Sequence, residues 1–429
     1  MSQHKKRVVV TGLGVIAPNG NGLDQFKTAI QEGTSGIRYI QALEDLKFSC
    51  RVGGIPQDVE PIKSQYFGED ELLAMNEVMS YAAIAAKDAF DDAGLKPKDL
   101  DSNEVYEDTG AILGTGIGGF DTISDSVHPT VTAGKVRRLG STIVERVMCS
   151  SVSAKVGGML GLGNQVTTNS SACSTGTEAI IMGYQRIISG FARRMMVGGA
   201  EGSHPHTWAG FDSMRVLCRK FNDEPERASR PMSASAAGFI PGSGSGVLCI
   251  EDLDTALARG AKIYAEIVGV GLTSGGMRAG GSMTAPSPQG VKRCIRMALL
   301  EAGLNPNEID YINGHLTATM ADPLEVKNWS EALERGPGQF PKINSTKSLV
   351  GHALGASGAL ESIATLLQMQ HGFVHGSLNC EDLHESIAPF GEHVVQKTEN
   401  ADIKVAAKAS FGFGDVNSCI IFKKWSPSS

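Results

Sequence analysis

A segment of this chain recurs almost half a length away. Ala89-Phe90-Asp91-Asp92-Ala93-Gly94-Leu95-Lys96-Pro97-Lys98-Asp99-Leu100-Asp101 is matched by Ala298-Leu299-Leu300-Glu301-Ala302-Gly303-Leu304-Asn305-Pro306-Asn307-Glu308-Ile309-Asp310 within 429 residues. In both copies an alanine-rich helical stretch stops at Gly-Leu and passes a proline and an acidic residue. Each then leads into a predicted strand, 109–116 in one copy and 311–313 in the other. A second pair, Ser245-Gly246-Val247-Leu248-Cys249-Ile250 and Asn417-Ser418-Cys419-Ile420-Ile421, puts a strand behind a glycine-rich loop in each half. Such a repeat constrains the fold to two similar α/β halves, expected at 1–255 and 256–429. The junction around 252–262 has no Pro/Ser linker, so a continuous core is expected rather than two mobile domains.

Other elements fit an α/β chain. Arg7-Val8-Val9-Val10-Thr11 reads as a buried strand that stops at Gly12-Leu13-Gly14, and a helix is expected over 23–31. From 71 to 93 apolar residues recur at helical spacing (Leu72, Met75, Val78, Met79, Ala82, Ala83, Ala86, Ala89), with Gly94 as the stop. The small alanines of that helix imply close packing against a neighbour. Glycine is unusually frequent, 52 residues, where an average chain has about 7%. These glycines are expected at tight turns and close backbone approaches.

Charge and cysteine exclude several classes. A net charge of −7 argues against a nucleic-acid-binding surface over the whole molecule. The eight cysteines, at 50, 149, 173, 218, 249, 294, 380 and 419, form no Cys-x-x-Cys pair. Neither a zinc ribbon nor a disulfide framework is therefore expected, and reduced thiols in the cytoplasm are. The basic start 1–7 is followed only by Val8-Val9-Val10 before glycine, so no secretory leader is expected, and 426–429 reads as a frayed end. No apolar run long enough to span a membrane occurs.

Four segments carry chemistry. Val166-Thr167-Thr168-Asn169-Ser170-Ser171-Ala172-Cys173-Ser174-Thr175-Gly176 reads as a strand and a turn of small residues opening a helix, which puts Cys173 at a helix N-terminus. There the helix dipole and free N–H groups favour thiolate over thiol, the state a nucleophile needs. Two histidines each follow a short strand: His315 in Asn313-Gly314-His315-Leu316-Thr317-Ala318-Thr319, and His352 in Ser345-Thr346-Lys347-Ser348-Leu349-Val350-Gly351-His352. Lys347 is expected on a loop before a helix that begins near Gly355. Ser410-Phe411-Gly412-Phe413-Gly414-Asp415 alternates glycine and can bring backbone N–H groups to a bound carbonyl. Gly114-Thr115-Gly116-Ile117-Gly118-Gly119 has the wrong spacing for a dinucleotide site and reads as a packed turn.

In that order, Ser-Ala-Cys-Ser-Thr-Gly, Asn-Gly-His-x-Thr-x-Thr, Ser-Thr-Lys-Ser-x-x-Gly-His and Ser-Phe-Gly-Phe-Gly resemble the β-ketoacyl-[acyl-carrier-protein] synthases of the elongating type, in the thiolase-like superfamily. The likeness covers essentially the whole chain, from Val8 to Lys424. It implies an αβαβα five-layer sandwich of two related halves, the first carrying the nucleophile and the second both histidines and the gating loop. By the same resemblance Cys173 takes an acyl group as a thioester, and His315 and His352 assist decarboxylation of a malonyl thioester. Cys173 and Phe413 supply oxyanion-hole N–H groups, and Phe413 is also the gate. Lys347 supports the histidines, with Glu325 near it. Thr317, Thr319 and Phe411 contact the substrate. Arg215, Arg137 and Arg138 dock an acyl carrier protein. No metal or redox cofactor is implied, and the partner is a second copy or a cysteine-lacking paralogue.

The chain departs from that pattern in three places. Arg230-Pro231-Met232-Ser233-Ala234-Ser235-Ala236-Ala237-Gly238-Phe239 has small residues where charges are usual, so loss of a charged support network is expected. Leu316 and Met320 replace a glycine and a proline, with one residue missing before Asp322, and Asp415 replaces a glycine. These changes suggest, in place of ordinary fatty-acid elongation, a specialised condensing enzyme for a polyene, polyketide or aromatic-capped acyl chain; the alternative is a non-catalytic chain-length-type partner subunit of a heterodimeric ketosynthase.

Overall fold

The computed structural model describes residues 6–427; most of the basic start, and the last two serines of the expected frayed end, lie outside them. The strand-forming runs make one 11-stranded mixed sheet. The first half contributes β1 (Val8–Ala17), β2 (Thr109–Gly114), β3 (Val166–Thr167), β4 (Arg194–Glu201) and β5 (Gly244–Asp252). The second contributes β6 (Ala265–Ser274), β7 (Tyr311–Asn313), β8 (Lys342–Asn344), β9 (Val405–Gly412) and β10 (Val416–Lys424). A two-residue strand, Gly20–Asn21, pairs off the end of β1.

The spatial order is β8-β7-β9-β10-β6-β1-β5-β4-β2-β3. Outward from the centre, β1-β5-β4-β2-β3 and β6-β10-β9-β7-β8 follow one plan. The first two neighbouring pairs of each arm are antiparallel and the outer two parallel. The arms join through a short antiparallel contact, Val8 with Ile267, Val9 with Glu266 and Val10 with Ala265. Both sequence echoes fall on equivalent places in the two arms: the first leads into β2 and β7, the second forms β5 and β10.

Helices complete the layers. α1 (Glu77–Asp92) and α2 (Ser151–Leu160) cover the outer face of the first arm; α4 (Pro288–Ala302) and α5 (Asp322–Leu333) cover that of the second. Between the arms lie α3 (Thr175–Ile188) and α7 (Ser357–His371), which touch strands of both. Their apolar residues form the central core with Val8, Val10, Leu13 and Val15 of β1 and Ile267, Ile420 and Phe422 opposite. This is the expected αβαβα arrangement.

The glycine excess has a packing cause here. A side-chain carbon at Gly12 would strike the carbonyl oxygen of Ala89, and one at Gly14 that of Ala85. In the second arm Gly269 meets Ala298 and Gly271 meets Cys294 in the same way. Ala89 and Ala298 open the two copies of the repeated segment, so the echo marks one backbone contact used twice. The helix expected over 71–93 is broken: a short helix, Glu69–Leu73, ends before Asn76, whose side chain accepts the N–H of Met79 at 3.0 Å and starts α1.

Candidate active site

Four segments that follow different strands meet above the ends of the two central helices. Ala172 takes a left-handed backbone, φ 49°, in the turn that presents Cys173, and α3 begins two residues later. The turn is tied to the β9–β10 hairpin. Ser174 Oγ donates to the carbonyls of Ser410 at 3.1 Å and Val416 at 3.0 Å, and Thr177 Oγ1 pairs with Ser410 Oγ at 2.9 Å. A side chain at Gly412 would lie 3.1 Å from the backbone nitrogens of Cys173 and Ser174, so glycine lets the hairpin close over Cys173.

His315 leaves β7 on a strained loop, with Leu316 at φ 21° and Ala318 at φ 62°. Two buried carboxylates of α5 hold it. Glu325 accepts the N–H groups of His315 at 2.6 Å and Leu316 at 2.7 Å; Asp322 accepts those of Thr317, Ala318 and Met232 at 2.8 to 3.1 Å. Thr317 and Thr319, half-buried, face each other with hydroxyls 3.0 Å apart. Lys347 sits on a short helix, α6 (Lys347–Val350), not on the expected loop. His352 follows α6, its backbone bonded to Ile240 and Gly242, and a 3-10 turn, Leu354–Ala356, leads into α7.

The rings of His315 and His352 lie 5.4 Å apart, edge to face. Neighbours fix their tautomers. Lys347 Nζ, a donor only, is 3.4 Å from His315 Nδ1, and the Leu354 N–H reaches His352 Nδ1 at 3.2 Å. Both Nδ1 atoms are thus acceptors, and both Nε2 atoms carry the proton. His352 Nε2 points at the Cys173 sulfur, 3.1 Å away. Burial and the nearby lysines hold both imidazoles well below the usual histidine range, so they are uncharged donors. Burial also pushes the Cys173 thiol up to about 11, against the lowering by Lys347 and the N–H groups of Phe413 and Cys173 itself. The sequence expectation of a ready thiolate therefore needs correcting: desolvation outweighs the helix terminus. Cys173, His315 and His352 are also a possible metal-ligand trio, their ligand atoms within 4.8 Å of one another.

Several site residues had no sequence signal. Glu361 of α7, buried, pairs with Lys347 and lies 2.9 Å from buried Lys408 of β9. Glu325, expected near the lysine, is close enough to feel the charge of Lys347 and also anchors the loop of His315. Glu201, at the end of β4, accepts N–H groups of Gly116, Ile117 and Gly355 at 2.8 to 3.2 Å, which makes the 114–119 glycine run a packed support for the His352 loop. Phe413 stands 6.2 Å from Phe211; Phe211 stacks edge-on with Phe239, and Phe239 with His352. Phe411 is buried, 6.2 Å from the His315 ring. An i/i+4 or alternating pattern cannot announce such contacts, because each joins residues far apart in sequence.

The charged network expected to be missing at 230–239 is present in another form. Arg230 donates to Glu381 at 2.6 Å and Asp382 at 3.1 Å, and Asp382 accepts from Ser233 and from the N–H of Ser235. The acids come from a distant loop, so the local sequence could not reveal them. Arg137, Arg138 and Arg215 are exposed. Asp415 has a left-handed backbone, φ 58°, the region that favours glycine. Its buried carboxylate accepts the N–H groups of Met277 at 2.9 Å and Ser287 at 2.7 Å.

Two neutral imidazole donors facing a cysteine at a helix N-terminus, within a duplicated α/β sandwich, define a thiolase-like condensing enzyme. Residues 5–256 match the β-ketoacyl synthase N-terminal domain, and 264–381 match its C-terminal domain. The chain is 36% identical over 427 residues to 3-oxoacyl-[acyl-carrier-protein] synthase 2 of Synechocystis sp., covering 98% of this chain and 99% of that protein. Among solved structures, the ishigamide ketosynthase/chain length factor superposes with a TM-score of 0.88 at 29% identity, covering 99% of this chain and 100% of that one. A type II PKS acyl-carrier protein in complex with its ketosynthase bound to the hexaketide gives 0.87 at 27%, covering 98% and 100%. The chain belongs to the β-ketoacyl synthase family.

Proposed function

We propose that this protein condenses a Cys173-bound acyl group with a malonyl group carried on an acyl carrier protein. The observation that carries the reading is His352 Nε2 standing 3.1 Å from the Cys173 sulfur with the second neutral imidazole, His315, 5.4 Å from the His352 ring. In the first step the Cys173 sulfur attacks the acyl thioester carbonyl. The oxyanion is held by the Cys173 and Phe413 N–H groups, and the carrier leaves as a thiol with the proton that Cys173 gave up. In the second, malonyl-carrier loses carbon dioxide, and the electron pair of the broken C–C bond is held as an enolate by His315 and His352 Nε2–H. Its α-carbon attacks the acyl carbonyl, and collapse expels the Cys173 thiolate, which takes up one proton from solvent to restore the thiol. With that proton the bonds made and broken balance and no electron is gained or lost, so the reaction calls for no metal or redox cofactor.

Thr317, Thr319 and Phe411 line the approach of the thioester arm in this reading. Arg215, Arg137 and Arg138 meet the acidic carrier, as charge complementarity requires. The solved relative that contains a chain length factor supports pairing with a cysteine-lacking paralogue, and the rebuilt 230–239 segment and Asp415 support a specialised polyene or polyketide substrate. The eight free thiols suit the cytoplasm, and no helix among the described residues is long and apolar enough to cross a membrane. The test is to mix the protein with acyl-carrier and malonyl-carrier and to follow Cys173 by mass spectrometry. An acyl adduct on Cys173 and a β-ketoacyl-carrier product are expected, both lost in Cys173→Ala. An unmodified Cys173 with no product would overturn the reading.

A further inference from the structure

The turn that follows His352 is held by a carboxylate that touches neither ring nor sulfur. Glu201, 1% exposed at the end of β4, collects four donors. Its Oε2 accepts the N–H groups of Gly116 at 2.8 Å and Gly355 at 3.0 Å; its Oε1 accepts the Ile117 N–H at 3.2 Å and the Thr115 hydroxyl at 3.1 Å. Gly355 is also gripped from the other side. A side-chain carbon at Gly199 of β4 would lie 2.5 Å from the Gly355 carbonyl oxygen, and one at Gly176 of α3 would lie 3.0 Å from it. Gly176 stands in the first turn of the helix behind Cys173, and Gly355 in the 3-10 turn behind His352. The clamp therefore ties the start of the Cys173 helix to the histidine's turn.

Between the two runs a short relay. Leu354 has a left-handed backbone, φ 46°, which an L side chain rarely adopts, so the turn needs support from outside it. Its N–H reaches His352 Nδ1 at 3.2 Å, and the other nitrogen of that ring stands 3.1 Å from the Cys173 sulfur. We propose that Glu201 is a positioning residue of acyl loading: by holding Gly355 it keeps the strained turn at Leu354 in place, and with it the His352 ring against the Cys173 sulfur. The inference rests on the reaction proposed above. An oxygen, not a charge, does the holding, because Oε2 alone accepts both Gly116 and Gly355. His315 hangs on Glu325 and Lys347, outside this clamp.

The test is acyl transfer from acyl-carrier to Cys173, followed by mass spectrometry. Glu201→Ala should slow loading by about 10²-fold, the scale of a misplacement of roughly 1 Å, with KM for acyl-carrier little changed. Glu201→Gln, whose amide oxygen can stand in for Oε2, should recover most of that loss. Gly355→Ala pushes the turn away with Glu201 intact, since its methyl group would lie 2.6 Å from the Gly116 nitrogen and 2.8 Å from Glu201 Oε2. It should repeat the loading defect, and it carries the test if Glu201→Ala does not fold. Glu201→Ala combined with His352→Ala should load no slower than His352→Ala alone, because a residue that acts through His352 then has nothing left to move. Losses that add in full, or normal loading in Glu201→Ala, assign Glu201 to stability alone and overturn the proposal. A crystal structure of Glu201→Ala separates the clamp from the chemistry. An unmoved His352 ring overturns the proposal; a displaced ring, in a protein whose natural form acquires no acyl group, sustains the hold on His352 while refuting the condensation.

Discussion

His352 Nε2 stands 3.1 Å from the sulfur of Cys173, while the other nitrogen of the same ring accepts the Leu354 N–H at 3.2 Å. In the proposed reaction His352 would therefore serve both Cys173 and the enolate, whereas His315, held by Lys347, would serve the enolate alone. His315→Ala and His352→Ala should each lower carbon dioxide release from malonyl-carrier by about 10²–10³-fold, as loss of an oxyanion donor does. Acyl transfer to Cys173 should slow in His352→Ala and stay near normal in His315→Ala. Equal loading defects in both variants would contradict this division of roles.

Asp415 joins the Phe413 loop, the gate expected from the family resemblance, to a second loop. Its carboxylate accepts two N–H groups there, from Met277 and Ser287, and the Gly414 N–H reaches the Met283 carbonyl at 2.8 Å. Asp415→Gly keeps a residue suited to φ 58° and removes both acceptors. The freed gate should let a bulky thiol reagent reach Cys173 about tenfold faster, the equivalent of one or two net hydrogen bonds. Alkylation followed by mass spectrometry measures it, and unchanged rates would show that the gate is held elsewhere.

Buried His375 gives the fold a pH dependence separate from catalysis. Its Nδ1–H donates to Gly376 at 2.9 Å and its Nε2 accepts from Thr346 at 3.0 Å, so the ring is uncharged and its pKa is lowered from 6.5 to about 4 by burial. A depressed histidine pKa contributes stability that is present above 6.5 and lost as pH falls through about 4, on the order of 3 kcal/mol. His375→Gln should show a shallower fall in urea midpoint across that window, after a constant loss of about 1–3 kcal/mol. Parallel pH profiles for the two proteins would exclude this role.

The helix–strand contact marked by the repeat is equally testable. Gly14→Ala and Gly271→Ala each push a methyl group into the backbone of the covering helix. Each should cost about 3 kcal/mol or more. Gly68→Ala, at a position with φ −72° and open space around it, should change little. Thermal unfolding of the three variants decides the matter; a mild effect at Gly14 would mean that α1 can shift on β1.

Sequence reading found the parts of the fold that are local or repeated. The two copies beginning at Ala89 and Ala298 exposed the duplication, because each carries the same helix end and the same tight contact under it. Cys173, His315, Lys347 and His352 were legible because small-residue turns and paired glycines surround them. Glu361, Lys408, Glu201 and the Arg230 partners Glu381 and Asp382 were not. Each sits in a segment whose local pattern suits an ordinary helix, strand or loop.

The chain by itself thus determined two α/β halves, a cysteine at a helix N-terminus and two histidines after short strands, since hydrophobic period, glycine stops and repeats are properties of neighbours in sequence. Tertiary structure alone decided the state of those groups. The histidine tautomers follow from Lys347 and the Leu354 N–H, the neutrality of the imidazoles from burial beside two lysines, and the raised Cys173 thiol from desolvation. Protonation depends on charge and solvent within a few ångströms, and in this fold the groups that set it arrive from strands and helices on both arms of the sheet.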